Sequence, residues 1–270
     1  MDICKSIKSD GTEAYWINKP PFLIKPSYAQ LSKLRRQYPD MSIVKICNTT
    51  GKYLVQVLSP GIDKQVYLEL NDSPKVIKCG HPDVIRSEAA NYERLNNESQ
   101  YFSKYYGTFG VTETSSCIII EYIPGDTLDF YFGQQYTDSF ETIVIEGYTA
   151  LDQLHAKGII HDDLGNPSNV IVSEKGLVII DLESNYRFTP GVINSGITEG
   201  IYHDNMNLTW LFFEILSPIE DVEEYYELSD NVAGNEEYGR LIPYLEAEFE
   251  LTDSPAIRLM IDRIKAKPVS

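Results

Sequence analysis

The sequence predicts a two-lobed α+β fold, with a small antiparallel β-sheet lobe carrying one helix and a mainly helical large lobe after it. Three observations predict it. Between residues 42 and 79, four short runs rich in Val, Ile, Tyr and Leu are separated by the turn sequences NTTG, SPGID and NDSP. A single amphipathic helix pattern follows at once, and from residue 139 a longer one begins. A chain of 270 residues, 43% of them hydrophobic, is long enough to bury cores for both lobes.

Residues 1–40 read as an N-terminal extension packing on the small lobe. The stretch PPFLIKP is punctuated by proline, and Ser27 has the character of an N-cap for a short helix with Tyr28, Leu31 and Leu34 on one face. Residues 41–123 form the small lobe. SIVKIC, KYLVQVL, QVYLEL and KVIKC read as an antiparallel meander, and PDVIRSEAANYERL as the helix after it. Pro82 suits the first helical turn, and Val84, Glu88, Asn91 and Leu95 share a face. A carboxylate at Glu88 is therefore expensive to bury unless it is paired. CIIIEYIPG then reads as a buried strand ending at a Pro-Gly break.

Residues 124–270 form the helical lobe. A helix from about Ser139 to Lys157 is traced by Phe140, Ile143, Val144, Tyr148, Leu151 and Leu154, and Gly158 is placed to end it. Two β-type runs, Val170 to Val172 and Leu177 to Ile180, are then joined by the turn SEKG. Polar clusters abut them: His161, Asp162, Asp163 and Asn169 on one side, Asp181 and Glu183 on the other. Phosphoryl transfer from ATP needs a carboxylate to orient the attacking hydroxyl, and an amide and a carboxylate to hold Mg²⁺ against the phosphates. Asp163, Asn169 and Asp181 supply that set in that order, although HDDLGNPSN taken alone is also an ordinary polar turn. A further helix is expected from Asp204 to Pro218, with an acidic N-terminus, and two or three helices over 219–270.

These strings together resemble the protein kinase-like superfamily. LHAKGIIHDD resembles LHxxGIIHRD, HDDLGNPSN resembles HxDxxxxN, and DLE stands where that family has DFG. LSPGIDKQVYL resembles the glycine-rich loop LGxGxFGxVYL, KVIKC the VAIK strand, and DNMNLTWLFFEILSP the helix DxWSLGxxLxELLTG. The resemblance implies ATP and Mg²⁺ as cofactors, Asp163 as catalytic base, and Asn169 and Asp181 as metal ligands. It implies that Lys78 contacts the α and β phosphates and is set by Glu88, with Gly61, Lys64, Val66, Glu121 and Ile123 around the nucleotide. His161 becomes a structural brace, and Asp204 a brace beneath the catalytic loop.

The departures are specific. Asn169 lies six positions after Asp163, against five in the family pattern. Glu183 replaces the glycine of DFG, and only Gly61 survives of the loop glycines. Asp162 replaces the arginine that in many protein kinases receives an activation-loop phosphate, and no APE triplet follows. The expected function is transfer of the γ-phosphoryl of ATP to a hydroxyl, slightly favoured as a protein Ser/Thr kinase. The alternatives are an aminoglycoside-type small-molecule kinase and a pseudokinase scaffold.

A net charge of −17 argues against nucleic acid as the partner and leaves basic proteins or cationic small molecules as favoured encounters, unless the charge serves only solubility. No apolar run reaches the length of a membrane span, and MDICKSIKSD lacks the apolar core of a signal peptide, so a soluble cytoplasmic protein is expected. Cys4, Cys47, Cys79 and Cys117 are far apart, form no CxxC pair, and are expected to be thiols without chemistry.

Overall fold

Alternation of β-branched and aromatic residues produces a run of short strands in the N-terminal half, and helical periodicity takes over after residue 138. The computed structural model describes residues 3–7, 13–17, 23–24, 46–47, 53–56, 64–70, 75–109, 116–131, 138–184, 186–192, 194–216 and 241–266. The helix expected from Ser27, the loop holding Ser59 and Gly61, and the acidic stretch 219–228 lie outside them. The fold is α+β, with antiparallel sheets and, among the described residues, five α-helices. It divides into two units, Met1–Asn97 with Ser103–Tyr122, and Glu98–Phe102 with Ile123–Ser270.

In the first unit, β1 (Ile3–Ile7) pairs with β2 (Glu13–Ile17), and β3 (Leu23–Ile24) with β4 (Ile46–Cys47). Ile46–Cys47, the described part of SIVKIC, thus pairs with the extension, and among the described residues it is not hydrogen-bonded to the meander strands. The main sheet has the order β5-β6-β7-β9-β8, built from β5 (Tyr53–Gln56), β6 (Lys64–Leu70), β7 (Lys75–Gly80), β9 (Ser116–Glu121) and β8 (Tyr105–Phe109). The edge strand β8 has no counterpart in the sequence reading. A register shift at Gly107, whose φ of 127° a side chain would resist, breaks the alternation that would have revealed it.

Helix α1 (Pro82–Leu95) starts with His81 as N-cap and Pro82 in its first turn, and it ends at Asn96 in the left-handed conformation. Its buried stripe runs through Ile85, Glu88, Tyr92 and Leu95.

Cys79 and Cys117 are direct cross-strand partners in β7 and β9 and form a disulfide. This corrects the expectation of free thiols. Residues separated by 38 positions carry no pairing signal in the sequence, because the register that opposes them is set by the sheet. Closing a loop of that length restricts the unfolded chain, so a thiol reductant is expected to lower unfolding stability by about 2–4 kcal/mol. Urea titrations with and without reductant check this, and coincident midpoints would count against the bond.

In the second unit, β10 (Gly125–Thr127), β11 (Val170–Ser173) and β12 (Gly176–Ile179) form an antiparallel sheet in chain order. Among the described residues, four α-helices belong to this unit: α2 (Asp138–Ala156), α3 (Ser195–Leu216), α4 (Leu241–Thr252) and α5 (Pro255–Lys265). Gly158, at φ 74°, ends α2 with a return bond from Ile159 N–H to the Leu154 carbonyl.

Helix α3 begins nine residues before the expected Asp204, at Ser195, with the Asn194 side chain accepting from Ile197 N–H at 3.0 Å. Asp204 is therefore a buried mid-helix residue and not an N-terminal one. Two glycines hid this turn-rich start. A Cβ at Gly200 would stand 2.5 Å from Ile160 Cδ1, so the helix and the loop before His161 touch closely there.

Candidate functional site

The structure places Lys78 beside Glu88 in the first unit and Asp163 beside Asn169 in the second. In the first, Lys78 sits mid-strand in β7, opposite Val66 of β6 and Ile118 of β9. Its Nζ donates to Glu88 Oε1 at 2.6 Å, and the side chains are 7% and 0% exposed. Taking both charges out of water is costly, and their contact at hydrogen-bond distance offsets that cost. The glutamate stands on the buried stripe of α1 because its pair partner comes from the sheet beneath it.

Around this pair, Val66 is half-buried, and Lys64 opens β6 with Gly80 as its backbone partner. Gly61 lies outside the described residues. Glu121 ends β9 with its N–H donated to the Lys104 carbonyl at 2.8 Å, so that N–H is already engaged. Ile123 is half-buried in the irregular segment that follows, and belongs to the second unit.

The second group is built on Asp204. Its carboxylate, fully buried on α3, accepts from His161 N–H at 2.8 Å, from Asp162 N–H at 2.9 Å and from His155 Nε2 at 2.9 Å. Two successive backbone amides are thereby fixed, and Asp162 is held at φ 67°. His161 is pinned from both ring nitrogens. Its Nε2 donates to the Ile180 carbonyl at 2.9 Å, and its Nδ1 accepts from Asp163 N–H at 3.3 Å, which defines the neutral Nε2–H tautomer. The sequence reading gave His155 no role; its place in LHAKGIIH was the available signal.

Asp163 leaves its carboxylate at the surface, while Asn169 is 4% exposed. The Asn169 Nδ2 donates to both the Asp163 carbonyl, at 2.8 Å, and its carboxylate Oδ2, at 2.7 Å. A carboxylate held this way is oriented while retaining lone pairs for a donor hydroxyl. The hairpin β11–β12 then brings the second cluster alongside, because Ile180 N–H donates to the Asn169 carbonyl at 2.9 Å. Asp181 follows at φ 65°, with Leu182 buried behind it. Left-handed backbone at two non-glycine residues of one loop pair is strain of the kind that collects at functional sites.

With both amide protons of Asn169 directed at Asp163, the Oδ1 is the atom this side chain offers a cation, and Asp181 adds a carboxylate. Among the described residues no group of three or more His, Cys, Asp or Glu side chains stands ready to hold a metal. Mg²⁺ bound by one or two protein groups together with substrate phosphates needs none, so Asn169 and Asp181 fit it.

The Asp162 carboxyl is pushed above its usual range by partial burial and then by repulsion from Asp204, with His203 opposing and Asp163 adding to the rise. A carboxyl whose pKa is raised on folding holds its proton more tightly when folded, so its contribution is favourable at low pH and is lost as pH rises through the shifted value. Asp162→Asn is therefore expected to raise the melting temperature at pH 7, with the gain shrinking as pH falls toward about 4. Thermal unfolding across that range checks it; a gain independent of pH would remove the charge as the cause.

No family model matches the chain. Over 72 residues it is 39% identical to the probable serine/threonine-protein kinase PknB of Lactococcus lactis, a match covering 26% of this chain and 11% of that protein. Over 117 residues it is 32% identical to the serine/threonine-protein kinase OXI1 of Arabidopsis thaliana, covering 38% of this chain and 28% of that one. The chain thus matches under a third of the length of each of these relatives. The likeness is partial, and it is to serine/threonine protein kinases. Among the described residues no helix is long and apolar enough to cross a membrane.

Proposed function

We propose that this chain is an ATP- and Mg²⁺-dependent phosphotransferase that moves a γ-phosphoryl group to a hydroxyl. The observation that carries the reading is Asp163, oriented by the Asn169 amide on a loop whose preceding amides are tied to buried Asp204. In this reading Asp163 orients the acceptor hydroxyl and takes up its proton. Asn169 Oδ1 and Asp181 hold Mg²⁺, which supplies neutralisation of charge on the phosphates. Lys78, kept in place by Glu88, binds the α and β phosphates, and Gly61, Lys64, Val66, Glu121 and Ile123 surround the nucleotide. Residues 41–123 act as the nucleotide-binding lobe and 124–270 as the catalytic lobe, with 1–40 as an extension of the first.

For the acceptor, the names of the two relatives favour a serine or threonine of a protein, and the charge of −17 favours a basic one. A second reading rests on α3. Because that helix starts at Ser195, only residues 184–194 separate it from Glu183, a short span on which to lay a protein substrate. That favours a cationic small molecule.

The metal assignment is tested by Asp181→Ala. Nucleotide affinity measured by calorimetry with and without Mg²⁺ is expected to lose its metal dependence in this variant, and an unchanged Mg²⁺ effect would refute the role.

A further inference from the structure

We propose that Asn166 is a positioning residue, the pivot by which a loop one residue longer than the kinase pattern still seats the Asn169 amide on Asp163. This rests on the phosphotransferase reading above. The step from Asp163 to Asn169 is made of two successive turns that share Asn166. In the first, Asn166 N–H approaches the Asp163 carbonyl at 3.5 Å; in the second, Asn169 N–H donates to the Asn166 carbonyl at 3.0 Å.

The Asn166 side chain fixes the second turn. Its Oδ1 accepts from Ser168 N–H at 3.1 Å, which makes it the N-cap of the short helical turn Pro167–Asn169. Pro167 in the first position brings a preset φ and no N–H to satisfy. The turn closes with Val170 N–H on the Pro167 carbonyl, and the chain passes directly into β11. Two turns of three residues therefore replace the shorter family loop, and Asn169 arrives with its Nδ2 at 2.7 Å from Asp163 Oδ2. Asn166 is neither a proposed metal ligand nor the proposed base. It acts through Asn169.

Because Asn166 is exposed, removing its side chain opens no cavity. The test uses the full chain as wild type, Asn166→Ala and Asn166→Ser, since serine retains an oxygen suited to capping. In Asn166→Ala, kcat for Mg²⁺-ATP phosphoryl transfer is expected to fall about five- to tenfold, the size of a lost cap, with KM for ATP unchanged. Asn166→Ser is expected to recover most of that loss. The second readout is hydrogen exchange of the Asn169 side-chain amide by NMR, expected to be faster in Asn166→Ala and near the wild-type rate in Asn166→Ser. Wild-type kcat in the alanine variant, equal losses in both variants, or unchanged amide exchange would overturn the assignment. A wild-type protein without phosphoryl transfer would defeat the phosphotransferase reading instead, and the exchange rates alone would then decide whether Asn166 sets Asn169.

Discussion

Asp163→Ala is expected to lower the rate of phosphoryl transfer by about 10³-fold, within the range by which positioned general bases accelerate reactions, while Mg²⁺-ATP still binds. The separation of the two effects follows from where Asp163 stands. Its carboxylate is at the surface and is held by Asn169, so its loss opens no cavity and leaves the Asp204 network intact. Nothing in that network depends on the Asp163 side chain. Single-turnover rates beside nucleotide affinities check the prediction. A variant with unchanged turnover would remove Asp163 from the chemistry, whereas one that lost nucleotide binding in step with rate would make it a binding residue.

Lys78→Met is expected to destabilise the protein by about 3–5 kcal/mol, the cost of leaving a buried carboxylate without its ion-pair partner. Glu88 has no exposed surface, so water cannot replace the ammonium that sits 2.6 Å away. The double variant Lys78→Met/Glu88→Leu removes both charges and is expected to recover most of the loss, as apolar replacement of buried pairs often does. Urea unfolding of the single and double variants measures both values. A loss below about 1 kcal/mol in the single variant would mean that the pair is solvated, as exposed ion pairs are.

Much of this arrangement was legible in the residues. The order of short strands, single helix, long helix and polar hairpin followed from periodicity and turn residues, and the bounds of α1 follow from Pro82 and Leu95. Glu88 was the informative anomaly, because a carboxylate on an apolar stripe calls for a partner, and Lys78 lies against it. What escaped reading was set by tertiary contact. Gly196 and Gly200 disguised the start of α3, which packs closely against Ile160 at Gly200. The Cys79–Cys117 bond depends on a register that no local pattern encodes. The long Asp163-to-Asn169 spacing read as a departure from pattern, and its resolution lies in hydrogen bonds made by Asn166.

The most direct test of the central claim is transfer of label from γ-labelled ATP by the wild-type chain, in Mg²⁺ and in excess chelator, to itself, to a basic protein and to a panel of aminoglycosides. The account predicts Mg²⁺-dependent label on at least one acceptor hydroxyl, and the labelled species would separate the protein reading from the small-molecule one. Nucleotide binding with no transfer to any of these acceptors would contradict it and leave the chain a nucleotide-binding module.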